Sequence, residues 1–420
     1  METQLAERYR DTADGREAEA ALRKCVRCGF CTATCPTYQL LGDEGDGPRG
    51  RIYLIKQVLE GAEVTRRTQQ HLDRCLSCRN CETTCPSGVP YGRLLDIGRK
   101  LVDDQVPRPR GEQALRWLLK EGLTSPAFGA AMTMGRWARP LLPAALQAKL
   151  PAAAPAAARA WPAGALARKV LLPAGCVQPA MLPNIDAATA RVLDAGGLQA
   201  VRAAGDGCCG ALKTHLGDAD GGLADMRRNV DAWWPLVEAG AVEAIVSNAS
   251  GCGLMIKDYG HALAHDPAYA ERARRISDLT RDLSELLPDL LPALKPRLQA
   301  RSAGQRPLRL AFHPPCTLQH GQRLRGGVEA SLGELGFEVT LAAAESHLCC
   351  GSAGTYSILQ PALARQLRDR KLGHLVQATP AAPDAIVSAN IGCIQHLQSG
   401  TPLPVRHWVE VVDEALRPAG

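Results

Sequence analysis

Aromatic residues are scarce in this 420-residue chain, at 4% of positions with four phenylalanines. A surface that stacks nucleobases needs more of them. An excess of one charge is also missing. The net charge is +6, and residues 1–105 carry 16 basic against 16 acidic side chains, so no basic stripe marks a nucleic-acid face. No uninterrupted apolar run reaches the roughly 18 residues of a membrane span. The longest apolar region, 141–167, is broken by prolines and charges. The opening "METQLAERYRDTADGREAEA" lacks the basic start and apolar stretch of a secretory signal, which predicts a reduced, cytoplasmic setting. No G-x-G-x-x-G follows a strand with an acidic residue downstream, so no dinucleotide site is expected, and "GDGPRG" reads as a turn.

Cysteine is what the chain has in quantity: sixteen of them. In a reduced compartment, many cysteines at fixed spacing point to metal or redox chemistry rather than structural disulfides. The length predicts two to four domains. The expected division is a helical domain over 1–105, a helix and Pro/Ala-rich linker over 106–167, and two repeated α/β domains over 168–300 and 307–420.

"CVRCGFCTATCP" sets Cys25, Cys28, Cys31 and Cys35 at C-x2-C-x2-C-x3-C-P, and "CLSCRNCETTCP" repeats the run at Cys75, Cys78, Cys81 and Cys85. This is the bacterial ferredoxin run for [4Fe–4S] clusters, in which the fourth cysteine ligates the other cluster. The expected ligand sets are therefore Cys25, Cys28, Cys31 and Cys85 for one cluster, and Cys75, Cys78, Cys81 and Cys35 for the other. A zinc site pairs C-x2-4-C with a distant second pair, which does not match four cysteines in eleven residues. The two runs lie 50 residues apart with helical patterns between them, which predicts a helical di-cluster domain rather than a compact β-hairpin one. Two such clusters imply electron relay. Arg49, Arg51 and Lys56 read first as a solvated helix face, and alternatively as charges tuning a cluster.

The rest of the chain is an internal repeat. Cys176, Cys208, Cys209 and Cys252 match Cys316, Cys349, Cys350 and Cys393. The first gaps are 32 and 33 positions, and the last is 43 in both copies. "EAIVSNASGC" matches "DAIVSANIGC". Each copy alternates strands ("KVLL", "LQAVRA", "EAIVS"; "LRLAF", "FEVTLA", "DAIVS") with amphipathic helices, which predicts a parallel sheet with ligands at its carboxyl rim. Cys176, Cys252, Cys316 and Cys393 follow predicted strands and so fall on that rim.

Taken together, the two ferredoxin runs, "TYQLLGDE", "CCGAL", "CTLQH", "SHLCCGSAGTY" and "ANIGC" resemble the family of glycolate oxidase iron–sulfur subunits, along nearly the whole chain. The resemblance implies an oxidoreductase complex in which this chain is the electron-transfer component. Partner subunits carrying FAD would oxidise glycolate to glyoxylate, with D-lactate as a further substrate. Electrons would then pass through two [4Fe–4S] clusters to a quinone or another acceptor, with peripheral attachment to the cytoplasmic face of a membrane. Iron–sulfur subunits of anaerobic glycerol-3-phosphate and D-lactate dehydrogenases share the architecture and remain an alternative.

The repeats also resemble the CCG domains of heterodisulfide reductase, which makes a disulfide reductase a second alternative. In that family each motif ends in C-x2-C and supplies five cysteines to a non-cubane cluster. Here Met255 and His396 stand at the fifth position, so each repeat offers four. Adjacent Cα atoms lie about 3.8 Å apart, below the roughly 4.4–6.8 Å that suits a disulfide, so a bond within either pair would be strained. Inert buried thiols are a second reading, and thiol redox a third. The equal 43-residue offset favours a further metal or cluster site at all eight cysteines. His320, His347, Met255 and His396 each lie near a cysteine and read as packing or surface residues.

Overall fold

The computed structural model describes residues 1–141, 158–302, 306–377 and 381–417. Part of the expected linker, 142–157, lies outside the described residues.

The first hundred residues are helical, as the patterning predicts. Thr12 caps the helix Ala13–Lys24 by accepting from the Gly15 N–H at 3.0 Å. Pro48 opens the helix Pro48–Leu59, where no backbone donor is needed. Helices Arg66–Asp73 and Tyr91–Asp103 follow. Ile52, Ile55 and Leu59 recur at helical spacing on one face and pack with Leu22, Leu72, Leu94 and Leu95 in a single buried core. That core fixes both cysteine loops, which leave and re-enter it at Cys25 and Cys75. Beyond it, the helix expected at 112–123 runs as Arg110–Trp117 and then widens into a π-helical turn, Leu118–Gly122.

Each repeat folds as a four-stranded parallel sheet. The first contains β1 (Lys169–Leu171), β2 (Gln199–Val201), β3 (Ala244–Ser247) and β4 (Thr280–Asp282), in the order β2-β1-β3-β4. The second contains β5 (Arg309–Phe312), β6 (Glu338–Leu341), β7 (Ala385–Ser388) and β8 (Val405–His407), in the order β6-β5-β7-β8. Registers correspond: Val170 pairs with Ala244 as Leu310 pairs with Ala385. Central strands β3 and β7 are buried at every residue, which explains their unbroken apolar sequence.

β4 and β8 are additional to the three strands per repeat read from sequence. Each has three residues, carries an arginine and sits at a sheet edge, so it has little hydrophobic signature. The helix Leu283–Ser302 contains Pro288, Pro292 and Pro296. All three prolines face solvent, while Leu287, Leu290, Leu294 and Leu298 on the other side are buried. Water can satisfy the carbonyls the prolines leave free, and leucine burial holds the helix.

The two repeats share one core that includes Val170, Val246, Leu310 and Val387. Across it, Arg191 Nε donates to Asp413 at 2.7 Å and Asn184 to Glu410 at 2.8 Å. His407 is fully buried at this joint. Its Nε2 bonds the Asn248 carbonyl at 2.8 Å, and its Nδ1 accepts from the Val409 N–H at 3.1 Å.

Candidate metal centres

The N-terminal cysteines border two hollows. Cys25, Cys28, Cys31 and Cys85 stand round the first, and Cys35, Cys75 and Cys78 round the second, with Cys81 between the two. Each loop is bent inward by two residues with left-handed backbone: Arg27 and Gly29 in the first, Ser77 and Arg79 in the second. Three of these four are not glycine, and strain of this kind persists where surrounding structure imposes it, commonly at functional sites. The first hollow opens outward. Cys28 is exposed, and its neighbours Val26 and Phe30 are 69% and 61% exposed. Round the second, Cys35, Cys75 and Cys81 are buried and Cys78 is half-buried.

Arg51 is not part of a solvated helix face. It is buried behind the second hollow, donating to the His71 carbonyl at 2.7 Å and to Thr37 Oγ1 at 3.2 Å. Thr37 in turn contacts Cys35 Sγ at 3.3 Å. A buried guanidinium beside this site counters negative charge on its thiolates. Arg49 stays at the surface, paired with Glu44, and Lys56 pairs with Glu60.

No disulfide links the cysteines of the described residues. Burial, then the neighbouring Cys316 and Cys75, pushes the Cys78 thiol well above its ordinary range. Burial, then Cys25, pushes Cys31 up to about 11. Thiols held neutral in this way give up their protons only when a cation takes their place. Four thiols round each hollow, with fixed positive charge nearby, fit [4Fe–4S] clusters, which supply one-electron transfer when bound.

The repeats gather their cysteines at the sheet rims. In the first, the thiols neighbour one another in the order Cys176, Cys208, Cys209, Cys252. In the second, Cys316, Cys349, Cys350 and Cys393 form the same chain. Hydrogen bonding to Cys349, then burial, holds the Cys316 thiol well above its ordinary range. The glycine after each pair is sterically required. Gly210 and Gly351 have φ of 89° and 91°, and a Cβ there would sit 2.8 Å from the Gly222 carbonyl and 2.5 Å from the Ala364 carbonyl. Cys252 and Cys393 lie in the first turns of helices Ser250–Lys257 and Ile391–Gln398.

The second repeat's site touches the ferredoxin-like part. Cys316, Cys349, Leu76 and Tyr356 form one buried cluster against which Cys78 packs. Thr83 Oγ1 meets His320 Nδ1 at 3.0 Å. His320 Nε2 bonds the His347 carbonyl at 2.8 Å, so His320 is a joint between the two parts, and burial lowers its pKa to about 4. His347 projects its ring outward, His396 bonds the Ala364 carbonyl at 3.1 Å, and Met255 packs in the first repeat's core. The first repeat meets the N-terminal part through charge instead: Arg79 and Arg93 reach Asp258 at 3.3 and 3.2 Å.

Two residues beside the second site went unread in the sequence. Lys371 is buried near Cys316, Cys350 and Cys349, with its ammonium donating to the Glu345 carbonyl at 2.5 Å. His313 is buried at the end of β5. The signal for His313 was available: "LLPAGC" aligned with "AFHPPC" sets it opposite Pro173. With the repeats aligned on their adjacent cysteines, Lys371 stands opposite Val230.

Comparison with known proteins agrees with this layout. The 4Fe-4S dicluster domain family matches residues 21–89, and the cysteine-rich domain family matches 170–257 and 310–398. The glycolate oxidase iron-sulfur subunit of Escherichia coli is 54% identical over 99% of both chains. The probable glycolate oxidase iron-sulfur subunit of Bacillus subtilis is 30% identical over 92% of this chain and 90% of its own. Lactate utilization protein A of Bacillus licheniformis is 27% identical, over 58% of this chain and 99% of its own. Similarity this high, sustained from the dicluster part through both cysteine-rich repeats, means that the chain belongs to the family of glycolate oxidase iron–sulfur subunits and is an electron-transfer component of an oxidoreductase.

Proposed function

We propose that this chain carries electrons from a flavoprotein that oxidises glycolate to an acceptor such as a quinone. The partner subunits would hold FAD. Cys25, Cys28, Cys31 and Cys85 are the proposed ligands of one [4Fe–4S] cluster, and Cys75, Cys78, Cys81 and Cys35 of the other. Cys176, Cys208, Cys209 and Cys252, and Cys316, Cys349, Cys350 and Cys393, are proposed as a further metal or redox site in each repeat. Residues 1–105 would form the relay domain, 106–167 the connection, and 168–300 and 307–420 the two repeated domains.

One observation carries this reading. Cysteine sites adjoin one another from the exposed Cys28 rim, across Cys81, to the buried contact of Cys78 with Cys316 and Cys349. Such an order suits relay, with the open rim available to a redox partner. The test is anaerobic reconstitution with the flavoprotein. Glycolate should reduce the flavin and then bleach this chain's clusters. Flavin reduction with no cluster reduction would overturn the assignment.

A substrate of the D-lactate type is the second reading, favoured by the likeness to lactate utilization protein A. Comparing the two acids as reductants of the same complex separates them. No helix among the described residues is long and apolar enough to cross a membrane. Peripheral attachment is supported by Trp117, Leu118, Met134 and Trp137, which are 59–85% exposed. Flotation with anionic vesicles, lost in a Trp117→Ala/Trp137→Ala variant, is the expected result.

A further inference from the structure

His313 is 1% exposed, yet neither ring nitrogen has a hydrogen-bond partner. Buried polar groups are almost always paired, so an imidazole orphaned at both nitrogens calls for an explanation. Its backbone is fixed: its N–H donates to the Val387 carbonyl at 2.8 Å, and its carbonyl accepts from Ser388 Oγ at 2.9 Å. A ring nitrogen and the sulfurs of Cys350 and Cys393 lie within 4.8 Å of one another. That is the spacing of three donors round one metal ion. Cys349 and Cys316 continue the chain of thiols toward Cys78.

We propose that His313 is a metal ligand. Its imidazole, with Cys350 and Cys393, holds one iron of a mixed imidazole–thiolate iron–sulfur centre in the second repeat, which Cys349 and Cys316 complete on the side facing the ferredoxin-like part. The proposal rests on the relay role above and adds what it left open, the fifth donor. A single tetrahedral ion takes four donors, whereas five strung in a line suit a centre with more than one metal. Each thiol releases its proton to solvent as its sulfur–iron bond forms, and the imidazole binds through a nitrogen that carries none. The first repeat has Pro173 at this position and no such donor. The two repeats would therefore hold different centres.

The experiment uses the full chain, purified anaerobically with histidine labelled by ¹⁵N, and reads metal content, sulfide and pulsed EPR. The expected results are iron beyond the roughly eight atoms of two cubane clusters, and a nitrogen coupling to the added centre that changes with the label. His313→Gln should abolish that coupling and leave the cubane signals intact. Added iron without histidine coupling, coupling that survives His313→Gln, or zinc at this site would each overturn the proposal. So would an iron content that stops at about eight, which leaves the relay role standing. Absence of the cubane signals themselves would instead count against that role. The labelled wild type decides the matter even if the variant fails to fold.

Discussion

The two repeats share a sheet order, a register and four cysteines, but they suspend their adjacent-cysteine loops differently. In the first, neutral groups hold the loop: Asn229 Nδ2 donates to the Cys208 carbonyl at 2.8 Å, and Tyr259 OH to the Cys209 carbonyl at 3.0 Å. In the second, Lys371 and His320 bond the carbonyls just before the pair, and His313 stands behind it. The charges near the first loop are Arg228 and Lys213, and both pair with Asp225. The second has fixed positive charge and a spare nitrogen, and it adjoins Cys78. A duplicated scaffold has kept its geometry while the electrostatics of its two sites diverged.

The largest expected effect breaks the relay before either repeat is reached. Cys78→Ser should bring glycolate-dependent dye reduction to background while the partner's flavin is still reduced. Retained dye reduction would show that electrons bypass the second hollow. Next, Cys349→Ser should lower electron delivery by roughly tenfold or more, and Cys208→Ser by less, because only the second repeat's cysteines touch the ferredoxin-like part. Equal losses in stopped-flow cluster reduction would erase the functional difference between the repeats.

The joint between the repeats titrates. Burial holds His407 neutral, with its pKa lowered to about 4. The unfolded chain takes up the proton first, near pH 6.5. This contribution is therefore fully present above that pH and drains as pH falls toward 4, a loss of roughly 3 kcal/mol. Urea midpoints of wild type and His407→Gln should converge as pH is lowered, and a constant offset would refute the linkage.

The smallest effect concerns the contact between the first repeat and the N-terminal part. Asp258→Ala removes one partly exposed carboxylate from two arginines and should cost about 1 kcal/mol. It should leave cluster spectra unchanged. A larger spectral than stability effect would mean that this contact tunes the second hollow.

Much of the fold was readable because it rests on local pattern. The buried strands β1, β3, β5 and β7 are apolar runs, and the helices Ala219–Glu238 and Pro361–Val376 have amphipathic or capped sequences. The edge strands β4 and β8 were not, since three half-polar residues gain strand character only by pairing with a neighbour already in place. Nor was the helix Leu283–Ser302, whose prolines argue against it until its leucines have a core to enter.

By itself, the sequence determined the doubled ferredoxin runs, the matched cysteine repeats and the strand ends on which four of those cysteines sit. All of these are spacings along the chain, and short-range backbone geometry converts them directly into loops and rims. Tertiary structure alone decided that Arg51 is buried behind a cysteine site, that the second repeat rather than the first meets Cys78, and that His313 and Lys371 enclose its thiols. Burial and charge at a point depend on every segment that packs there, and those segments lie up to hundreds of residues apart in the chain.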